Sequence, residues 1–225
     1  MSETIKTPIS GNLKARTAAS SSPLSHLGIF KNARAVAILA LILLAVSAIA
    51  MVVFTNNALR TYRLSVASDA DIQIILATDE ELNRSAAYHE LLSERAAALE
   101  VPDAFSARLH VEKALEINPN SPYAWAHLAY LDTYIANGVT PKAVEALTQS
   151  IERCQYCDAE LGKWRLQYIL SNWNDLPFEL KEEARQQARL LKADPREHPY
   201  LRDVLIRARL QGFDLGIETH ELRVP

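Results

Sequence analysis

One stretch of the chain contains only apolar and small residues. Ala35 to Phe54 includes no charged residue, glycine or proline, and Ser47 is its only polar side chain. A helix of this length spans about 30 Å, the thickness of the hydrocarbon core of a bilayer, and it satisfies its backbone groups internally. The pattern predicts a transmembrane helix at 33–56. A buried core helix and a signal peptide are the alternatives, and the long segment before the apolar run favours an uncleaved anchor.

Apolar residues recur with helical spacing along most of the remaining chain. Thr78, with Glu81 three residues later, has the pattern of a capping box and predicts a helix from Thr78 to Leu99. Asp103 is expected to cap the next helix, and Asn137-Gly138 is a helix stop signal. The helices expected after Leu99 are 103–117, 123–136, 141–154, 158–172, 178–192 and 197–211. The run Ile72–Leu76 is the only candidate strand.

A short pattern recurs where two of these predicted helices meet. Small and apolar residues have the spacing of one helix, its closing proline and the start of the next helix: Ala107, Val111, Ala114, Pro119, Trp125, Leu128 and Ala129. Ala143 and Leu147 continue the pattern less regularly, with Asp132 at a position where the repeat usually has tyrosine. The chain therefore resembles tetratricopeptide-repeat (TPR) proteins, clearly over 104–151 and in degenerate form to Pro195.

This resemblance implies an all-α fold, in which one transmembrane helix is followed by a TPR-like solenoid of α-α hairpins. Stacked hairpins form a concave surface that binds peptides or helices. Tyr130, Asp132 and Tyr134 are candidate contacts in that groove, because aromatic residues are enriched where binding energy concentrates. The alternative is that these three side chains pack between hairpins.

These assignments divide the chain into five segments. They are a flexible cytoplasmic tail at 1–32, the transmembrane helix at 33–56, a membrane-proximal helical segment at 57–101, the TPR-like domain at 102–212 and a C-terminal tail at 213–225.

The distribution of charge predicts the orientation in the membrane. Five basic residues precede the apolar run, whereas only Arg60 and Arg63 follow it closely. The side richer in Lys and Arg stays in the cytoplasm, which predicts a periplasmic C-terminal domain at the inner membrane of a bacterium. The 225 residues carry 24 basic and 27 acidic side chains, a net charge of −3, so nothing indicates a nucleic-acid partner.

The strongest candidate for chemistry is the pair Cys154 and Cys157. In an oxidising compartment these cysteines are expected to form a disulfide, and redox activity or free thiols are the alternatives. A redox pair would need its first cysteine at a helix N-terminus. No metal site is expected, since two further ligands are missing, and no catalytic or cofactor-binding motif is found. The sequence predicts neither an enzyme nor a cofactor.

The whole layout resembles a family of small single-pass proteins linked to bacterial extracellular polysaccharide assembly. The shared features are the anchor, the junction from Ala114 through Pro119 to Trp125 and Ala129, the Trp164-Arg165 pair, and Trp173. This resemblance implies a membrane-anchored scaffold that binds a protein of a membrane or envelope complex. The alternatives are a periplasmic thiol-disulfide protein that uses the cysteine pair and a self-associating structural membrane component.

Overall fold

The computed structural model describes residues 27–78 and 84–222, with side chains from Val36 onward. These residues form nine α-helices and two short 3-10 helices, and they contain no strand. The α-helices are α1 (Leu27–Ser65), α2 (Asp69–Thr78), α3 (Ala86–Ala97), α4 (Ala104–Ile117), α5 (Pro122–Ala136), α6 (Pro141–Arg153), α7 (Ala159–Ser171), α8 (Phe178–Lys192) and α9 (His198–Leu210). The predicted all-α class is confirmed for this part of the chain. Ile72–Leu76, the candidate strand, lies within α2 and is helical.

The apolar run lies within α1. Every side chain from Val36 to Asn56 is exposed, so within the described structure this segment is not a core helix. Val36–Ser65 is long and apolar enough to cross a membrane, by length and composition. The chain divides into two compact units, Met1–Met51 and Val52–Pro225. The predicted tail at 1–32 lies outside the described residues, apart from 27–32 in α1.

The capping box predicted at Thr78 is wrong. Thr78 is the last residue of α2, and its hydroxyl donates to the Ile74 carbonyl at 2.7 Å. Helix α3 begins at Ala86, where the side chain of Ser85 accepts from the Tyr88 amide. Ile72 on α2 is fully buried. Burial of this apolar side of the helix favours a helix that continues to Thr78. Tertiary packing therefore outweighs the local capping pattern, whose Glu81 lies outside the described residues.

Side-chain caps start the four helices α4 to α7. Asp103, Ser121, Thr140 and Asp158 each accept a hydrogen bond from the backbone amide three residues later, at 2.9 to 3.2 Å. Such caps satisfy amides that have no partner inside the helix. The observed bounds of these helices agree with the predicted ones to within one or two residues.

Helices that follow one another along the chain pack together: α3 with α4, α4 with α5, α5 with α6, and α7 with α8, and α5 also contacts α7. Small residues allow this close approach, and Ala107, Ala114 and Ala129 are fully buried. Among the described residues, the buried apolar side chains form three clusters. Trp125 and Leu128 pack against both of the larger ones and so link α3–α5 with the helices that follow.

Candidate functional site

Two rows of aromatic side chains line a groove between α5 and α7. Tyr130 and Tyr134 lie one turn apart on α5 and stack with ring centroids 6.0 Å apart. Trp164 and Tyr168 are spaced in the same way on α7 and stack at 5.3 Å. This aromatic groove has a volume of about 900 Å³. Its remaining lining residues are polar or small: Thr133, Asn137, Gly138, Gln167, Ser171, Asn172 and Asp175.

A second depression, the adjoining hollow, shares Tyr130 and Trp164 with the aromatic groove and has a volume of about 500 Å³. It extends to α3 and the start of α5. Its other lining residues are Glu94, Ala97, Ala98, Tyr123, Ala126, His127, Glu160 and Leu161. His127 stacks on Tyr130 at 6.4 Å, so three rings follow one another along α5. Helices α3, α5 and α7 thus all contribute lining residues to these two adjoining depressions.

Hydrogen bonds beneath the groove fix the position of its floor. Tyr168 is buried, and its hydroxyl contacts the hydroxyl of Thr133. Thr133 donates to the Ala129 carbonyl at 2.9 Å, and the Tyr168 hydroxyl lies 3.4 Å from the same carbonyl. Burial is the main cause that raises the pKa of Tyr168, and the charge of Asp132 adds to it. The ring is therefore a neutral, preorganised surface.

His127 is neutral near pH 7, because burial lowers its pKa to about 4. Its Nδ1 lies 3.2 Å from the hydroxyl oxygen of Ser93. Ser93 donates its only proton to the Ala107 carbonyl at 2.6 Å, so His127 carries a proton on Nδ1 and donates it to Ser93. The other ring nitrogen, Nε2, is consequently a hydrogen-bond acceptor.

The lining of the two depressions contains carboxylates and no Lys or Arg side chain. Asp175 belongs to the aromatic groove, whereas Glu94 and Glu160 belong to the adjoining hollow. Glu160 is paired with Lys163 at 2.7 Å. Desolvation raises the pKa of Glu94, and the charge of Glu90, one turn away on α3, raises it further. The charged side chains of the lining are therefore all hydrogen-bond acceptors.

The three predicted groove contacts are found in two different places. Tyr130 and Tyr134 line the aromatic groove and are 42% and 51% exposed. Asp132 does not belong to its lining, because it is buried and forms an ion pair with Arg108 of α4 at 2.7 Å. A step of two residues turns a side chain by roughly 200° around a helix, which directs Asp132 away from its two aromatic neighbours.

The groove residues on α7 and the ring of His127 were not among the predicted contacts. The available signal was their spacing, since Trp164 and Tyr168 are four residues apart and His127 is three before Tyr130. That spacing alone does not distinguish a groove from a core face, because both place aromatic residues on one side of a helix.

The residues predicted to pack between repeats lie at the contacts between helices. The fully buried ones are Ala107, Val111, Ala114, Ala129, Ala143 and Leu147. Trp125 and Leu128 are half-buried between two core clusters. Pro119 is exposed, and its carbonyl accepts from Trp125 Nε1 at 2.8 Å and from Arg153 Nε at 2.6 Å.

Cys154 and Cys157 are joined by a disulfide in the turn between α6 and α7, with Cα atoms 5.6 Å apart. Cys154 follows the C-terminus of α6, so it does not have the helix N-terminal position that lowers the pKa of a catalytic thiol. Arg165 donates to the Cys154 carbonyl at 2.7 Å, and Gln187 donates to the Gln155 carbonyl at 2.8 Å. These contacts favour a structural role for the turn.

Within residues 27–78 and 84–222, no group of three or more His, Cys, Asp or Glu side chains is arranged to hold a metal ion. The chain matches no protein-family model, no curated protein and no solved structure.

Proposed function

We propose that this protein is a membrane-anchored scaffold whose aromatic groove docks a segment of a protein partner. The observation that carries the proposal is the pair of facing aromatic rows, Tyr130 with Tyr134 and Trp164 with Tyr168. Tyr130 and Tyr134 are exposed and Trp164 is half-buried above the buried Tyr168. Large aromatic side chains that remain accessible beside one another supply the kind of surface on which binding energy concentrates.

The arrangement of helices supports a peptide as the bound species. The groove lies between α5 and α7, and its lining includes the amide side chains of Asn137, Gln167 and Asn172, which can pair with a peptide backbone. The resemblance to TPR domains supports the same conclusion, since stacked hairpins bind extended chains on their concave side. A groove made by so few hairpins suits modest affinity.

Helix α1 supports the anchor, with all side chains from Val36 to Asn56 exposed and a span long and apolar enough for a bilayer. An anchor confines the domain to one surface and raises its effective concentration near a membrane partner. The Lys and Arg distribution favours a periplasmic domain. The resemblance to proteins of polysaccharide assembly supports a partner in an envelope complex that builds or exports such a polymer.

Site-specific photocrosslinking in intact cells tests this proposal. A photoreactive amino acid replaces Gln167 in the aromatic groove or, as control, Phe105, which is 74% exposed on α4 outside the lining of both depressions. We expect a discrete cross-linked product from the groove position only. Adding Tyr134→Ala and Trp164→Ala should reduce that product at least about tenfold, because each removes a large contact surface.

Two outcomes would contradict the proposal. One is a product that forms equally well from position 105. The other is a product from position 167 that survives the loss of both aromatic side chains, provided that circular dichroism shows the helical content of the double variant to be unchanged.

A further inference from the structure

We infer that the aromatic groove and the adjoining hollow bind an extended peptide segment that carries arginine or lysine side chains. This inference rests on the proposed function and names the chemistry of the partner at the same site. Three features of the lining carry it: its charge, the aromatic rings that no cation covers and its hydrogen-bond acceptors.

Charge complementarity is the first feature. Glu94 lies in the hollow and Asp175 in the groove, and neither carboxylate has an ion-pair partner among the described residues. Glu90 and Glu94 are one turn apart on α3, and like charges at this spacing repel each other. A bound cation would relieve that repulsion and would meet no competing Lys or Arg side chain in the lining.

The aromatic faces are the second feature. The chain has three tryptophans, and Lys or Arg side chains of the chain itself lie over the rings of two of them. Arg153 lies 5.6 Å from the ring centroid of Trp125, while Lys181 and Arg185 lie 5.7 and 5.9 Å from that of Trp173. Among the described residues, no cation covers Trp164 or Tyr134, and each of these two rings stacks on one neighbouring ring only. Their other faces are therefore available for a cation supplied by a ligand.

The supply of acceptors is the third feature. Guanidinium and ammonium groups donate several hydrogen bonds and accept none. The lining offers the carboxylates of Glu94 and Asp175, the side-chain carbonyls of Asn137 and Asn172, and the ring of His127, whose Nδ1 proton is already donated to Ser93. No Lys or Arg side chain belongs to the lining, so an anionic ligand would find no cationic partner among these residues.

Fluorescence anisotropy with the full chain in detergent tests the inference. The probes are two labelled peptides of about twelve residues, identical except that the arginines of one are citrullines in the other. Citrulline keeps the shape of arginine and removes its charge. We expect the arginine peptide to bind at least about tenfold more tightly and its affinity to fall with added salt.

Charge-neutral variants assign that preference to the site. Glu94→Gln with Asp175→Asn should weaken the arginine peptide about five- to tenfold and leave the citrulline peptide unchanged. The matched control, Glu116→Gln with Asp203→Asn, removes two exposed carboxylates outside both depressions and should have no effect on either peptide.

Equal affinity for the two peptides, or a double variant that binds like the wild-type chain, would overturn the inference. A neutral oligosaccharide could instead compete with the peptide and bind the Glu94→Gln, Asp175→Asn variant as tightly as the wild-type chain. That result would assign the surface to a polymer. If cross-linking from position 167 persists in this charge variant, the scaffold proposal stands while the basic-peptide inference fails. If it also persists without Tyr134 and Trp164, both fail.

Discussion

Arg165 on α7 is fully buried, and its guanidinium group binds the C-terminal end of α6. It donates to the carbonyl and hydroxyl oxygens of Ser150 and to the carbonyls of Cys154 and Gln155. Burial lowers its pKa to about 10, an effect that the charges of Asp158 and Glu183 oppose. The guanidinium group therefore remains charged at neutral pH. It donates hydrogen bonds to backbone carbonyls that have no intrahelical partner at the C-terminus of a helix.

Replacing Arg165 with methionine should destabilise the domain strongly. Methionine fills part of the volume but leaves the buried carbonyls of Ser150 and Cys154 without donors, which costs about 2–4 kcal/mol. Chemical denaturation of the full chain in detergent, followed by tryptophan fluorescence, measures the change. Arg189→Met, at an exposed position on α8, is the control and should change stability by less than about 0.5 kcal/mol. Equal effects of the two substitutions would contradict this role.

His127 should make stability depend on pH in the acid range. Its pKa is about 4 in the folded chain and about 6.5 in an unfolded chain, so between these values the unfolded state binds more protons. Its contribution to stability is thus complete above pH 6.5 and is lost as the pH falls towards 4, by at most about 3 kcal/mol. In denaturation measured across this range, His127→Gln should flatten the dependence, whereas His220→Gln at an exposed position should not.

At the scale of a helix, Asn137 ends α5 in a left-handed conformation, with φ 51° and ψ 42°. It is the only non-glycine residue with positive φ in the described chain. The Gly138 amide donates to the Thr133 carbonyl and the Asn137 amide to that of Tyr134, which is the Schellman pattern. This stop sets the length of α5 and hence the end of the aromatic groove.

Two substitutions at Asn137 should affect the stability of the domain differently. Asn137→Gly fits positive φ without strain and should keep or raise stability, while Asn137→Ala should cost about 1 kcal/mol. Thermal unfolding of the full chain in detergent measures both. Asn174→Ala, at an exposed asparagine without positive φ, is the control and should be nearly neutral. An alanine variant as stable as the glycine variant would show that the left-handed turn does not limit stability.

The bounds of α4 to α8 could be predicted from sequence because their start and stop signals are local. Asp103 and Thr140 cap amides only three residues away, so neighbouring residues suffice to identify them. The start of α3 could not be predicted in this way, since burial of Ile72 extends α2 to Thr78. Leu215, Ile217 and Leu222, after α9, are buried in the core, and no periodic pattern indicated them in so short a segment.

At the scale of the whole molecule, orientation in the membrane should follow the basic residues on each side of the apolar run. Alkaline phosphatase fused after Pro225 should be active and β-galactosidase inactive, since only the former folds outside the cytoplasm. Moving the charge, with Lys31→Gln and Arg34→Gln before the run and Asn56→Lys and Asn57→Lys after it, should invert this result. Activity of the β-galactosidase fusion in the unaltered chain would refute the predicted orientation.

The sequence by itself determined the apolar span of α1, the all-α class and most helix bounds, because length, periodicity and caps depend on residues close together in the chain. Only the tertiary structure decided that Tyr130 and Tyr134 face Trp164 and Tyr168 across a groove, while Asp132 turns inward to Arg108. The residues of α5 and those of α7 are at least thirty positions apart in sequence, and Asp132 and Arg108 lie on different helices. Which of these side chains stays exposed depends on how α4, α5 and α7 pack against one another. Contacts between separate helices produce no pattern among neighbouring residues in the sequence.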